Sequence, residues 1–312
     1  MDDSEGKKLI GKQAVSVQLT VFLGITGISI MIFSVVALAI TAGVYGVNSL
    51  TLGGVIDLSD ANTIASLKFM QWFTSIGLFI LPPVLFAYIS DKKWLKYLSL
   101  KKHVKLPEMA TVIILMLISI PVINWLAALN ASMTLPDFLS NVEQWMKDAE
   151  LQAKQLTEAF LKMNSGMDFI GNLLLIAVIP GIGEELLFRG VLQKLLIRWT
   201  GNNHAGIWIS ALLFSALHAQ FFGLIPRMLL GAMFGYLLVW SGSLWYPIIA
   251  HFINNGLAVF MAFLSQKGLM PGELETFGTA TGDIWYSLLS VVLIITILFG
   301  LRSKWYSRAK FI

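Results

Sequence analysis

The hydrophobic positions of this chain gather into runs of about 20 residues almost free of charge, the length a helix needs to cross about 30 Å of hydrocarbon. Reading these runs along the sequence places about eight spans, at 17–46, 68–90, 109–129, 169–199, 204–222, 226–241, 244–264 and 284–301. One stretch departs from the pattern. Over 135–163 the apolar residues Phe138, Leu139, Val142, Trp145 and Met146 recur at helical spacing with charges between them, which predicts an amphipathic helix lying near the membrane interface. The fold expected is all-α: a polytopic transmembrane helical bundle with an extracytoplasmic amphipathic helix.

Composition agrees. Of 312 residues, 56% are hydrophobic and 13% charged, and the mean hydropathy is +0.75, too apolar for a soluble domain of this size. The basic residues Lys7, Lys8 and Lys12 before the first run, and Ala37-Leu38-Ala39 within it, raise the question of a cleaved signal. The apolar run exceeds the ~7–15 residues of a signal core and reads as an anchor helix.

Charge alternates between successive loops. Lys92, Lys93, Lys96, Lys101, Lys102 and Lys105 lie in one, Arg198 precedes another, and Arg302, Lys304, Arg308 and Lys310 occupy the tail. The intervening segments are acidic: Asp57 and Asp60, the 130–168 region, and the loop with Glu273, Glu275 and Asp283. By the excess of Lys and Arg in cytoplasmic loops, both termini are expected in the cytoplasm, which requires an even number of spans. The net charge of +4 is thus a matter of topology, and no nucleic-acid partner is expected. The chain has no cysteine, which excludes disulfides, thiolate metal sites and cysteine-protease chemistry.

The front half carries almost no ionisable residue inside its apolar runs and reads as scaffold. The back half places Gly, Pro, His, Asn, Glu and Arg within them, where a polar group is costly and usually functional. The organisation expected is an N-terminal scaffold with the amphipathic segment over 1–168, a core over 169–264, and a last loop, span and basic tail over 265–312.

Within that core, Pro180-Gly181-Ile182-Gly183-Glu184-Glu185 runs on to Arg189 and sets adjacent carboxylates inside a span. Glu185 and Arg189, four apart, share a helix face and can form an ion pair. Glu184 points about 100° away with no partner in its own segment, which suggests a polar cavity. Pro180 and the neighbouring glycines weaken the helix, as irregular backbone lining a wet pocket would. The next run holds Phe214 and His218; a lone histidine is more often a packing residue than a functional one. A later run holds His251 and Asn255 on one face, with Asn254 pointing elsewhere, an arrangement also found where helices hydrogen-bond to each other. Gly231 and Gly235 form a GxxxG suited to close helix packing.

Glu184-Glu185 with Arg189, Phe214 with His218, and His251 with Asn255 follow the order EExxxR, FxxxH and HxxxN. In this the chain resembles the CPBP intramembrane proteases, the CAAX prenyl endopeptidase or Abi family, over roughly 169–264. The resemblance implies an endopeptidase in which Glu184 and His218 activate a water, His251 and Asn255 hold the oxyanion, Glu185 and Arg189 organise the site, and Phe214 packs beside it. It implies a peptide or membrane-protein substrate, prenylated in some members, with membrane lipid as the surrounding partner.

A metal is not favoured: HExxH is absent, although Glu184, His218 and His251 match a His₂Glu zinc set by residue type. There is no GxSxG, and Ala280-Thr281-Gly282-Asp283 falls short of GxGD, Asp283 reading as a helix cap. The competing class is a non-catalytic membrane immunity, scaffold or transport protein whose polar residues bind an ion or partner; the front half lacks the matching broken helix that transporter repeats usually show.

Overall fold

The computed structural model describes residues 8–46, 56–269, 277–279 and 283–306, and these are helical with no strand among them. Lys7, Glu273, Glu275, the 280–282 part of the GxGD-like stretch, and Arg308 and Lys310 of the basic tail lie outside the described residues. The main helices are α1 (Val15–Tyr45), α2 (Ala61–Ser90), α3 (Leu106–Ala131), α4 (Ser140–Leu161), α5 (Gly166–Thr200), α6 (Asn203–Ala216), α7 (Leu224–Ser241), α8 (Trp245–Gln266) and α9 (Ile284–Tyr306).

Local chemistry sets several of the starts. The Asp60 carboxylate accepts from the Thr63 amide at 2.8 Å to open α2, and Ser165 with Asp168 forms a reciprocal capping box on α5. Asn202 accepts from the amides of His204 and Ala205 to open α6.

Among the described residues seven helices are long and apolar enough to cross a membrane. The one that falls short is α6, read from the sequence as the span 204–222. The apolar run is continuous there, yet the helix has 14 residues, about 21 Å at 1.5 Å per residue. It stops because the backbone turns sharply at Ala219, whose φ of 51° is unusual for a residue with a Cβ. A single 3₁₀ turn, Phe221–Gly223, then leads into α7.

The described residues nonetheless pass through the bundle eight times, as contacts at its two ends show. At one end the Lys8 amide donates to Ser90 O at 2.9 Å, Lys194 Nζ donates to Tyr97 O and Ser99 Oγ, and Lys102 Nζ donates to Ser241 O. Tyr246 and Trp305 meet on the Glu108 carboxylate there, at 2.5 and 2.8 Å. At the other end Lys68 Nζ reaches Asn172 Oδ1 at 2.7 Å, Gln266 Nε2 reaches Leu161 O at 2.8 Å, and Asn130 binds Phe221 O and the Ile225 amide. So α6 and its connector together make the traverse that the helix alone is too short to make. The lysine-rich 92–105 segment and the amphipathic α4 fall at opposite ends, and both described chain ends lie at the lysine-rich one.

The core gathers around α5. Residues 186–192 are all buried, packed with Phe22, Phe86, Leu98 and Leu244. By contrast α1 and α9 turn apolar side chains outward, among them Val35, Val292 and Ile295, as helices facing lipid do. The front half is therefore more than a separate scaffold, since α2 and the 92–105 segment form part of the wall around α5.

Candidate active site

Two wide turns bracket the carboxylates of α5. Its backbone is π-helical over Leu173–Val178 and again over Leu186–Leu192, with the regular turns Ile179–Glu185 between them. Pro180 removes one amide donor and crowds the preceding turn; π turns accommodate such disruptions and recur at functional sites. The flanking glycines allow close approach from both sides. A Cβ on Gly183 would stand 2.7 Å from Phe79 Cβ of α2, and one on Gly181 would stand 3.2 Å from the backbone nitrogen of Phe252 on α8. Beyond loosening α5, these positions let α2 and α8 close on it.

The adjacent glutamates have different surroundings. Glu185 is fully buried, and its Oε1 accepts from Arg189 at 2.8 Å and faces His251 Nδ1 at 2.9 Å. Arg189, also fully buried, donates a further bond to Gly231 O at 2.8 Å. Its guanidinium lies 4.7 Å from the Phe214 ring centre and 5.5 Å from that of Phe234, within cation–π range. Phe214 meets Phe188 edge-on at 5.1 Å, so the cation sits among three aromatic rings.

Glu184 has no such partner. Its Oε2 is buried and makes no hydrogen bond, but lies 4.0 Å from His218 Nε2 and 3.8 Å from His251 Nε2. These separations are too long for direct bonds and suit a single water-sized oxygen bridging the carboxylate to an imidazole.

Backbone geometry fixes the His218 tautomer. Its Nδ1 lies 2.8 Å from Phe214 O, and since a carbonyl can only accept, Nδ1 carries a proton and the neutral ring presents a lone pair at Nε2, toward Glu184. The strained φ at Ala219 directly follows this residue. Such strain, about 1–2 kcal/mol for a residue with a Cβ, is the kind held at functional sites.

Glu184, His218 and His251 thus come together, and Glu185, Arg189 and Phe214 surround them. Asn255 lies one turn along α8 from His251; its amide donates to Ile176 O at 3.0 Å and its Oδ1 accepts from Asn254, so its recorded bonds are to the π segment of α5 and its neighbour rather than to the three. The sequence reading missed Phe188, Phe234 and Arg227. The last occupies the first turn of α7 beside the His218 connector, and a basic residue inside an apolar run was the available signal.

For a metal, the donor types are suitable but the spacing is not. Ligands about 2.0–2.2 Å from tetrahedral zinc lie about 3.3 Å apart, closer than the two Glu184–histidine separations of 4.0 and 3.8 Å. Among the described residues no group of three or more His, Asp or Glu is spaced to hold a metal ion.

Residues 166–257 match the family model of the type II CAAX prenyl endopeptidase Rce1-like proteins. The chain is 32% identical over 92 residues to the uncharacterized protein YpbD of Bacillus subtilis (strain 168), covering 28% of this chain and 44% of that protein. It is 31% identical over 85 residues to YdiL of the same organism, which carries a provisional membrane-peptidase name, covering 27% of this chain and 34% of that one. These alignments span less than half the length of either relative. No solved structure matches.

Proposed function

We propose that this protein, whose residues 166–257 match the type II CAAX prenyl endopeptidase Rce1-like family model, is an intramembrane endopeptidase that hydrolyses a peptide bond with a water activated by Glu184 and His218. The observation that carries this reading is the free, buried Oε2 of Glu184, facing two imidazole Nε2 atoms at 3.8 and 4.0 Å.

In the reaction the water oxygen attacks the scissile carbonyl carbon. Its proton passes to Glu184, with His218 Nε2 accepting a hydrogen bond in its fixed tautomer, and is then delivered to the departing amine nitrogen. His251 supports the developing oxyanion from Nε2 when both of its ring nitrogens carry protons, Nδ1–H being directed at Glu185, and Asn255 does so through the amide N–H not engaged with Ile176. Glu185 and Arg189 hold His251 in place through the Nδ1 contact. In this reading the protons move among the water, Glu184, His218 and the leaving amine.

The substrate class is a peptide or membrane protein reaching the bilayer; prenylation is one form it could take. Both termini are assigned to the cytoplasm, following the lysines at that end of the bundle. The test is cleavage of a membrane-embedded reporter by the purified protein in proteoliposomes, read by mass spectrometry. Cleavage that disappears in Glu184→Gln supports the proposal. Cleavage unchanged by that substitution refutes it, and a cellular phenotype that survives loss of Glu184, His218 and His251 singly would favour the non-catalytic class.

A further inference from the structure

The α5–α7 interface runs in a regular parallel register. Gln193 Nε2 donates to Gly235 O at 3.2 Å, and one turn on, Arg189 donates to Gly231 O at 2.8 Å. Each step of four residues back along α5 is matched by four back along α7, so the next pair in the series is Glu185 with Arg227. Position 227 therefore lies on the α7 face turned toward the glutamates, one turn beyond the contact that holds Arg189.

Arg227 is a cation without a counter-ion close by. Its guanidinium donates to Gln220 Oε1 at 2.8 Å and to Gln220 O at 3.3 Å. Among the described residues no carboxylate oxygen comes within 4.0 Å of it, in contrast to the paired Arg189. Its charge is nevertheless felt at both Glu184 and His218, and Glu150 of α4 is the other acid within its field. A guanidinium has five N–H donors, so most of this one stays available. Gln220, which holds it, lies two residues beyond His218 on the strained connector. A partly buried arginine inside a membrane segment is expensive unless it has a task, and its planar fork suits a carboxylate.

We infer that Arg227 is a specificity-determining residue of this site and takes a carboxylate of the substrate lying to one side of the scissile bond. Two sources share that chemistry, a free C-terminus and an acidic side chain. The inference rests on the protease reading and names a feature of its substrate. In the complex the substrate carboxylate supplies the counter-ion that Arg227 lacks, and binding it fixes the distance between the anion and the bond that is cut.

The experiment uses the full chain in proteoliposomes and three reporters sharing one scissile sequence: one ending in a free carboxylate, one in an amide, and one in an amide with a Glu near that end. A hydrogen bond to a charged group corresponds to roughly a 10- to 150-fold difference. The wild type is expected to cleave at least one carboxylate-bearing reporter better than the amide by that factor in kcat/KM, chiefly through KM. Arg227→Gln should bring the carboxylate-to-amide ratio to about one, and Arg227→Lys should keep part of the preference. Preference for the first reporter alone identifies the C-terminus; preference for the third identifies an acidic side chain. Cleavage by the wild type without preference overturns the inference, as does an Arg227→Gln variant that slows all three reporters equally, since that pattern belongs to support of the His218 connector. Failure of the wild type to cut any reporter overturns the protease reading and this inference with it.

Discussion

Replacing Arg189 with Met removes the cation from a fully buried pair and leaves the Glu185 carboxylate buried with His251 Nδ1 as its remaining polar contact. Arg189 and Glu185 are both 0% exposed, 2.8 Å apart, and the arginine also satisfies Gly231 O. No water-exposed edge can compensate the abandoned carboxylate, so the loss is that of a broken buried pair, about 3–5 kcal/mol. That shifts the unfolding equilibrium by about 100- to 4,000-fold. The measurement is unfolding in mixed micelles by SDS, followed by tryptophan fluorescence. A second variant isolates the cause: Arg189→Met combined with Glu185→Gln leaves no bare charge and should recover most of the loss, although the Arg189→Met side chain cannot bind Gly231 O in either. If Arg189→Met unfolds within about 0.5 kcal/mol of the wild type, the range of ordinary surface changes, or if Glu185→Gln brings no recovery, the buried pair does not organise the site in the way described.

Three further outcomes follow from the geometry. Gly235→Ala places a methyl 2.5 Å from Gln193 Oε1 and 2.9 Å from Ile207 Cγ2, so it should destabilise by about 1–3 kcal/mol in the same assay, whereas Gly24→Ala, with nothing within 4 Å, should change little. The hydroxyl and amide of Thr63 hold the Asp60 carboxyl below its ordinary value. The α2 cap is therefore fully in place above the usual carboxylate range and is lost as pH falls through the lowered value, which amide hydrogen exchange at residues 61–65 would detect as a loss of protection relative to the intrinsic exchange rate at each pH. Cleavage should persist after exhaustive chelation, measured on the reporter with metal content checked by mass spectrometry; loss of activity restored by zinc would require a His₂Glu centre of different geometry.

The bundle was legible because lipid demands long apolar helices, and that demand is written directly into run length. The Glu185–Arg189 relation was legible too, because a four-residue spacing on a helix leaves little freedom. The shortness of α6 was not, since the apolar run continues through Leu217 and Phe221–Phe222, and no glycine or proline marks the turn at Ala219. The π turns of α5 were only hinted at by Pro180, because a proline signals disruption without saying how the backbone absorbs it. Arg227 escaped notice because its meaning depends on the α5–α7 register, which appears only when Gly231 and Gly235 are seen to accept from Arg189 and Gln193.

Glu184 is the residue on which the proposed chemistry turns, and its Oε2 makes no hydrogen bond that a substitution would break. The decisive measurement is the single-turnover cleavage rate of a membrane-embedded reporter by Glu184→Gln, in a preparation whose SDS unfolding curve overlays that of the wild type. Removal of the general base should slow cleavage by about 10²–10⁴-fold or more. A folded Glu184→Gln protein that cuts at the wild-type rate would contradict the assignment.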